Sequence, residues 1–372
     1  MIHNAELMSV GPDEVVVTFT TDDAVEVRTH VGDRDVVTTG PVHVARVTDL
    51  EPATEYDLDV EGAEVPGGLP YLPTTVTTLE RPGGRLLATV ATVNDVHFGE
   101  IECGLLEGWG AELSGPVFTS EPGEDPYPEM MNGAAIDEIE ALDPDAVIVK
   151  GDLTSRGTEA EYERFLEVYA RLGERMHHVR GNHDGMHTDA IAATGPFAVE
   201  VPGATLAVLD TVRPRHYAGR ISAEQIAWLD DLAAEAASPV LVFGHHNVWN
   251  VHSEHRNPDY FGINPDDSEA LVDVLGRRES IAGYFAGHTH RNRVRRFAPA
   301  RDLPLVEVAS VKDYPGAWAE YRIYEDGYTQ VMHRISAPPA LAWTEKTRQM
   351  FQGLYRDYAL GPLDWRCFTQ PF

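Results

Sequence analysis

The sequence predicts an α/β protein that carries a small all-β sandwich in front of it. Three observations predict this. Up to about residue 80, short runs alternate apolar and polar residues and are separated by turn pairs such as Gly11-Pro12 and Gly40-Pro41. From Arg85 onward, apolar runs alternate with capped amphipathic segments, the texture of strands interleaved with helices. Five of these later runs stop abruptly at Asp, Asn or His, residues that fold poorly into strands and serve well in sites. The expected division is residues 1–80 as the all-β unit, 81–336 as the α/β domain and 337–372 as a tail packed on it.

A chain of 372 residues, 43% hydrophobic and 24% charged, has the composition of an ordinary globular protein with room for more than one domain. No apolar run reaches membrane-span length, and Met1 to Glu6 show no secretory pattern, so the expected location is the cytoplasm. The net charge of −31 argues against a nucleic acid polymer as partner. It also means that an anionic substrate would need concentrated local positive charge, which metal ions supply. Cys103 and Cys367 lack the paired spacing of a thiolate metal site.

Within the all-β unit the expected strands are Glu14 to Thr20, Ala24 to Val31, Val42 to Val47, Glu55 to Val60 and Thr74 to Leu79. Leu50 to Tyr56 (L-E-P-A-T-E-Y) resembles the tyrosine corner of fibronectin type III domains, whose Tyr hydrogen-bonds back to its own chain. Arg81 to Gly84 reads as a linker. The next strand, Leu86 to Val93, leads into Asn94, Asp95 and His97. The long segment from Phe98 to Pro128, with Trp109 and Phe118, is either a lid or substrate wall or a surface insertion.

Ala135, Ile136, Ile139 and Leu142 mark a helix that stops before Pro144, and Ala146 to Val149 is a strand delivering Asp152. Thr158 and Glu161 form a capping box for a helix burying Phe165 and Tyr169. Met176 to Val179 is a strand ending in Arg180, Gly181, Asn182, His183 and Asp184. Thr205 to Leu209 is another, followed by a helix capped by Ser222 and Gln225. Val240 to Phe243 delivers His245 and His246; Ile281 to Phe285 delivers His288 and His290. Three closing strands (Pro304 to Val308, Trp318 to Tyr324, Thr329 to Ile335) read as antiparallel members of a second sheet.

In open α/β sheets, ligands collect beyond the carboxyl ends of the strands. The residues delivered there include Asp95, His97, Asp152, Asn182, His245, His288 and His290. Carboxylate and imidazole donors without thiolate suit Fe or Mn, with Zn a third candidate. Seven donors exceed the needs of one ion and suit two, about 4 Å apart, with Asp152 as the bridging carboxylate.

D-x-H, G-D, G-N-H-D, G-H-H and G-H-T-H, in this order, resemble the calcineurin-like metallophosphoesterase superfamily. The resemblance implies a four-layer αββα sandwich and hydrolysis of phosphate esters by a metal-bound hydroxide. It implies that Asp95, His97, Asp152 and His290 hold one ion, and that Asp152, Asn182, His245 and His288 hold the other. His183 is then the catalytic hydrogen-bond donor or general acid beside Asp152. Within the superfamily, the segment from Gly151 to Tyr162 is similar to bacterial class III cyclic-nucleotide phosphodiesterases and to glycerophosphodiesterases. Ser155 departs from two other branches: purple acid phosphatases carry a metal-bound Tyr there, and protein Ser/Thr phosphatases an Asp that orients the catalytic His.

The expected activity is therefore that of a phosphodiesterase acting on a small phosphoester. The alternatives are a phosphomonoesterase and, more remotely, a non-catalytic metal-containing binding protein. His246, Arg180, Arg156 and Asn94 are the candidate substrate contacts, and homo-oligomerisation stays open.

Overall fold

A computed structural model describes residues 1–65, 71–105, 115–188 and 190–372. Trp109, expected in the long segment after Phe98, lies outside the described residues. The N-terminal unit is built from β1 (Ile2–Val10), β2 (Val15–Val31), β3 (Arg34–Val47), β4 (Glu55–Glu61) and β5 (Thr75–Thr77). The two-sheet sandwich expected there takes the form of a single five-stranded antiparallel sheet, bent over its own core of Leu7, Val17, Phe19, Val27, Val31 and Leu58. Two runs expected as separate strands are fused in β2, and Gly40-Pro41 lies inside β3 rather than in a turn.

The register explains the fusion. Thr20 faces Val42 and Val25 faces Gly40, so Thr21 to Ala24 bulge out opposite Pro41, which has no N–H to give the ladder. The corner is present as expected: Tyr56 Oη accepts the Glu51 N–H at 2.8 Å.

The rest of the chain supplies β6 (Leu86–Val93), β7 (Ala146–Lys150), β8 (Met176–Val179), β9 (Phe197–Val201), β10 (Ala204–Val208), β11 (Val240–Phe243), β12 (Ile281–Ala286), β13 (Arg293–Arg295), β14 (Leu305–Glu307), β15 (Ala317–Tyr324), β16 (Gly327–Arg334) and β17 (Phe368–Pro371). They form two six-stranded sheets, ordered β17-β16-β15-β6-β7-β8 and β13-β14-β12-β11-β10-β9. The sheets face each other across a fully apolar layer that includes Val90, Ile148, Leu206, Phe243, Phe285 and Tyr321.

Helices α1 (Tyr127–Leu142), α2 (Glu159–Tyr169) and later α5 (Pro338–Thr347) cover the outer face of the first sheet. Helices α3 (Ala223–Glu235) and α4 (Pro265–Arg277) cover the second. The layers run α-β-β-α. The Thr158–Glu161 capping box and the Ser222 cap form as expected.

The closing strands depart from expectation. Pro304 to Val308 provides β14, which runs parallel to β12 in the second sheet, whereas β15 and β16 are antiparallel neighbours in the first. Strands β6, β7 and β8 are mutually parallel, as are β10, β11, β12 and β14. Their carboxyl ends open on one rim. The tail adds a short helix, α6 (Tyr355–Leu360), and then β17, which pairs with β16. No helix among the described residues is long and apolar enough to cross a membrane.

Candidate active site

The rim gathers the predicted donors from five strand ends. Asp95 and His97 follow β6, Asp152 follows β7, Asn182 and His183 follow β8, His245 follows β11, and His288 and His290 follow β12. Five of them sit in left-handed backbone: Asp95 (φ 54°), His97 (50°), Asp152 (49°), His288 (67°) and His290 (54°). Each such non-glycine residue costs about 1–2 kcal/mol and persists only where the surroundings over-determine it. Ten other described non-glycine residues share this backbone region, but these five are the ones that converge on a single rim, which marks a site rather than a scaffold. Neighbouring glycines make room for it. A Cβ on Gly181 would meet Asp152 Oδ1 at 2.2 Å, and one on Gly151 would meet His245 Nδ1 at 2.6 Å.

The donor atoms of Asp95, His97 and His290 lie within 4.8 Å of one another, and so do those of Asp95, Asp152 and His245. Asp152 is shared between both halves, with Oδ2 at 3.6 Å from His97 Nε2 and 3.3 Å from His245 Nε2. His245 Nε2 also meets Asn182 Oδ1 at 3.1 Å, while its Nδ1 faces the Lys150 carbonyl at 2.8 Å. His288 packs beside His245, ring centroids 5.1 Å apart. The buried Nε2 atoms of His97 and His288 have no hydrogen-bond partner. Orphaned imidazole nitrogens, that of His97 beside carboxylates and that of His288 beside other imidazoles, are costly unless a cation takes them.

Electrostatics describe the same cluster. Burial would raise the Asp152 carboxyl, yet His245 and His183 hold it well below the ordinary range. Burial would lower His245, but Asp152 beside it lifts it to about 9. Burial, helped by His246 and His245, pushes His288 well down.

His183 stands apart. It is half-buried, its ring lies 4.6 Å from that of His97, and its main-chain N–H donates to Asp152 Oδ1 at 2.9 Å. Its Nδ1 meets the Ser155 main-chain oxygen at 2.7 Å. Asp184 does not orient it. That carboxylate is spent on the N–H groups of Leu153, Thr154 and Gly181 and on the Thr154 hydroxyl.

The candidate substrate contacts fare differently. Asn94 is fully buried and gives its amide to Asp95 and to the Val308 and Ala309 carbonyls, so it sits behind the site. Arg180 is buried and pairs with Asp210 through Nε at 2.9 Å and a terminal nitrogen at 2.8 Å. His246 is fully buried; Nδ1 meets Thr211 Oγ1 at 2.8 Å, Nε2 has no partner, and the residue groups with His245 and His288, as a further donor would. Arg156 is exposed.

Sequence reasoning missed the groups behind His290. Asp313 Oδ2 lies 3.0 Å from His290 Nδ1 and 3.1 Å from the buried Lys312 ammonium, which also meets Glu100 at 2.8 Å. Nothing in the local pattern around Asp313 pairs it with a His more than twenty residues earlier. Another convergent group, Glu14, Glu320 and His333, is an ion-pair knot: Arg322 donates to both acids and Arg46 pairs with Glu14.

Residues 88–292 match the family model of calcineurin-like phosphoesterases, more than half of the chain, and the protein belongs to that family. Among curated relatives it is 25% identical over 253 residues to a probable cyclic nucleotide phosphodiesterase of Synechococcus sp., covering 66% of this chain and 91% of that protein. It is 33% identical to a cAMP/cGMP dual specificity phosphodiesterase of Mycobacterium tuberculosis (46% of this chain, 56% of that one). It is 28% identical to a probable glycerophosphodiester phosphodiesterase of Arcobacter nitrofigilis (40% and 57%). A dimetal phosphatase from Danio rerio shares the fold, with a TM-score of 0.50 at 16% identity over 68% of this chain and all of that one. The chain thus spans little more than half the length of two of these relatives.

Proposed function

We propose that this protein is a phosphodiesterase with a two-metal centre, acting on a small diester of the cyclic-nucleotide or glycerophosphodiester type. The carrying observation is the convergence of strained, buried Asp and His donors on one rim, with the Nε2 atoms of His97 and His288 left unpartnered. On this reading Asp95, His97, Asp152 and His290 hold one ion. Asp152, Asn182, His245 and His288 hold the second. Iron or manganese fits the oxygen and imidazole donors. Bound there, two such cations supply Lewis acidity that draws the pKa of a water towards ~7 and neutralises the phosphoryl oxygens.

The chain's own groups do the rest. The Ser155 carbonyl accepts from Nδ1–H and fixes the His183 ring beside that of His97, which leaves Nε2 as the nitrogen free to act. A second proton, held at Nε2, is the one His183 gives to the leaving oxygen.

A diester brings two organic arms, and a wall is available for one of them. Phe261 lies against the His288 ring with centroids 4.0 Å apart, about half exposed, and Tyr217 stands 6.2 Å from it, also about half exposed. The relatives named as phosphodiesterases support the same choice. We read residues 1–80 as a fibronectin type III-like unit on the strength of the Tyr56 corner, 81–336 as the catalytic domain and 337–372 as its tail.

The test is turnover by manganese-reconstituted protein of bis(p-nitrophenyl) phosphate against p-nitrophenyl phosphate, followed by a 3′,5′-cyclic nucleotide and a glycerophosphodiester. A higher kcat/KM for the bis-ester is expected. Preference for the mono-ester would move the assignment to a phosphomonoesterase.

A further inference from the structure

The tail has no assigned role, yet it reaches the rim. Helix α5 gives Trp343 Nε1 to the Lys312 carbonyl at 2.8 Å, and Thr347 Oγ1 accepts the Tyr314 N–H at 3.0 Å. Helix α6 follows with two tyrosines. Tyr355 Oη donates to Asp313 Oδ1 at 2.6 Å, and Tyr358 Oη donates to the Thr289 carbonyl, between His288 and His290, at 2.8 Å. The Asn292 N–H and side-chain amide donate to the Ala359 carbonyl at 2.9 and 3.2 Å. These contacts end on two segments, 289–292 and 312–314.

We propose that the C-terminal tail is a working part of the metal centre, with Asp313 and Tyr355 as positioning residues for His290. This rests on the assignment of His290 as a ligand made above. The chemistry is that of a carboxylate behind a ligating imidazole: Asp313 accepts a hydrogen bond from the Nδ1–H, fixes the tautomer and leaves the Nε2 lone pair forward, 3.6 Å from Asp95 Oδ1. Asp313 itself needs holding, because Lys312 competes for the same Oδ2 that His290 uses. Tyr355, buried and bonded to the other oxygen, sets the carboxylate plane; Glu100 gives Lys312 a second carboxylate at 2.8 Å. His290 is also strained at φ 54°, so its loop depends on outside contacts to stay in place.

The experiment uses the full chain, stripped of metal, with Mn²⁺ titrated by calorimetry and Co²⁺ absorption as a readout of ligand geometry. Tyr355→Phe removes one oxygen and keeps the buried ring; Asp313→Asn keeps the shape and loses the charge. Asp313→Asn is expected to weaken one Mn²⁺ step by ~10–100-fold, and Tyr355→Phe to weaken the same step by less, both with an altered Co²⁺ spectrum. Metal-free melting of Tyr355→Phe should stay near that of the native chain, whereas Asp313→Asn, which takes a carboxylate from the buried Lys312 ammonium, should melt lower. Unchanged Mn²⁺ affinity and Co²⁺ spectrum in both variants, with or without a lower melting temperature, would reduce the tail to packing and overturn the proposal while leaving the ligand assignment intact. A native chain that binds no Mn²⁺ would overturn both.

Discussion

At the scale of the residue, the decisive feature is backbone strain placed on chemistry-bearing side chains. Asp and His were legible as site candidates because they end apolar runs, where they contribute nothing to a core. Their convergence was legible only through order, since each comes from a different strand. The partner of His183 was not legible. The residue at 155 reads as a lost orienting carboxylate, but the contact comes from its main-chain oxygen, which every residue type possesses. Two variants separate these readings. Ser155→Ala should keep kcat within about twofold, because the carbonyl remains, whereas His183→Ala should lower kcat by ~10² while metal content is kept. Steady-state kinetics with metal analysis checks both; a His183→Ala chain that loses metal would make it a ligand instead.

At the scale of the element, strands with strong local signals matched expectation and those fixed by distant partners did not. Helix α4 escaped notice although Asn264-Pro265 carries its start. The Asn264 side chain accepts the Asp267 N–H at 3.0 Å, with Pro265 in the first turn. Strands β13 and β17 are short edges whose pairing depends on neighbours far along the chain, and β14 reads alike for parallel and antiparallel pairing. The fused β2 and β3 show why a Gly-Pro pair misleads: a bulge opposite Pro41 absorbs it without ending the strand. Asn264→Ala should cost about 1 kcal/mol in urea unfolding, through loss of the cap that holds α4 over the second sheet. No change in the midpoint would mean that burial of Leu271, Val274 and Leu275 alone sets that helix.

At the scale of the whole molecule, the N-terminal unit and the tail are bound to the catalytic body by buried charge. Glu6, on β1, is almost fully buried. Its Oε1 accepts from Tyr314 at 2.8 Å, Arg348 at 2.6 Å and Arg356 at 2.8 Å. Arg366 reaches the Leu7 carbonyl at 3.1 Å. A buried acid removed from such a cluster leaves its partners uncompensated, so Glu6→Gln should destabilise the chain by about 3 kcal/mol. Denaturant unfolding with one cooperative transition in the native chain, and an early separate transition in the variant, is the expected pattern.

Two cations held by side chains from five strand ends underlie every role assigned to the rim. Elemental analysis after manganese loading and desalting tests for them most directly, comparing the native chain with Asp152→Ala, the variant lacking the carboxylate common to both halves. The prediction is about two ions per native chain and loss of both in the variant. A native chain that retains none, or a variant that retains the full complement, would contradict it.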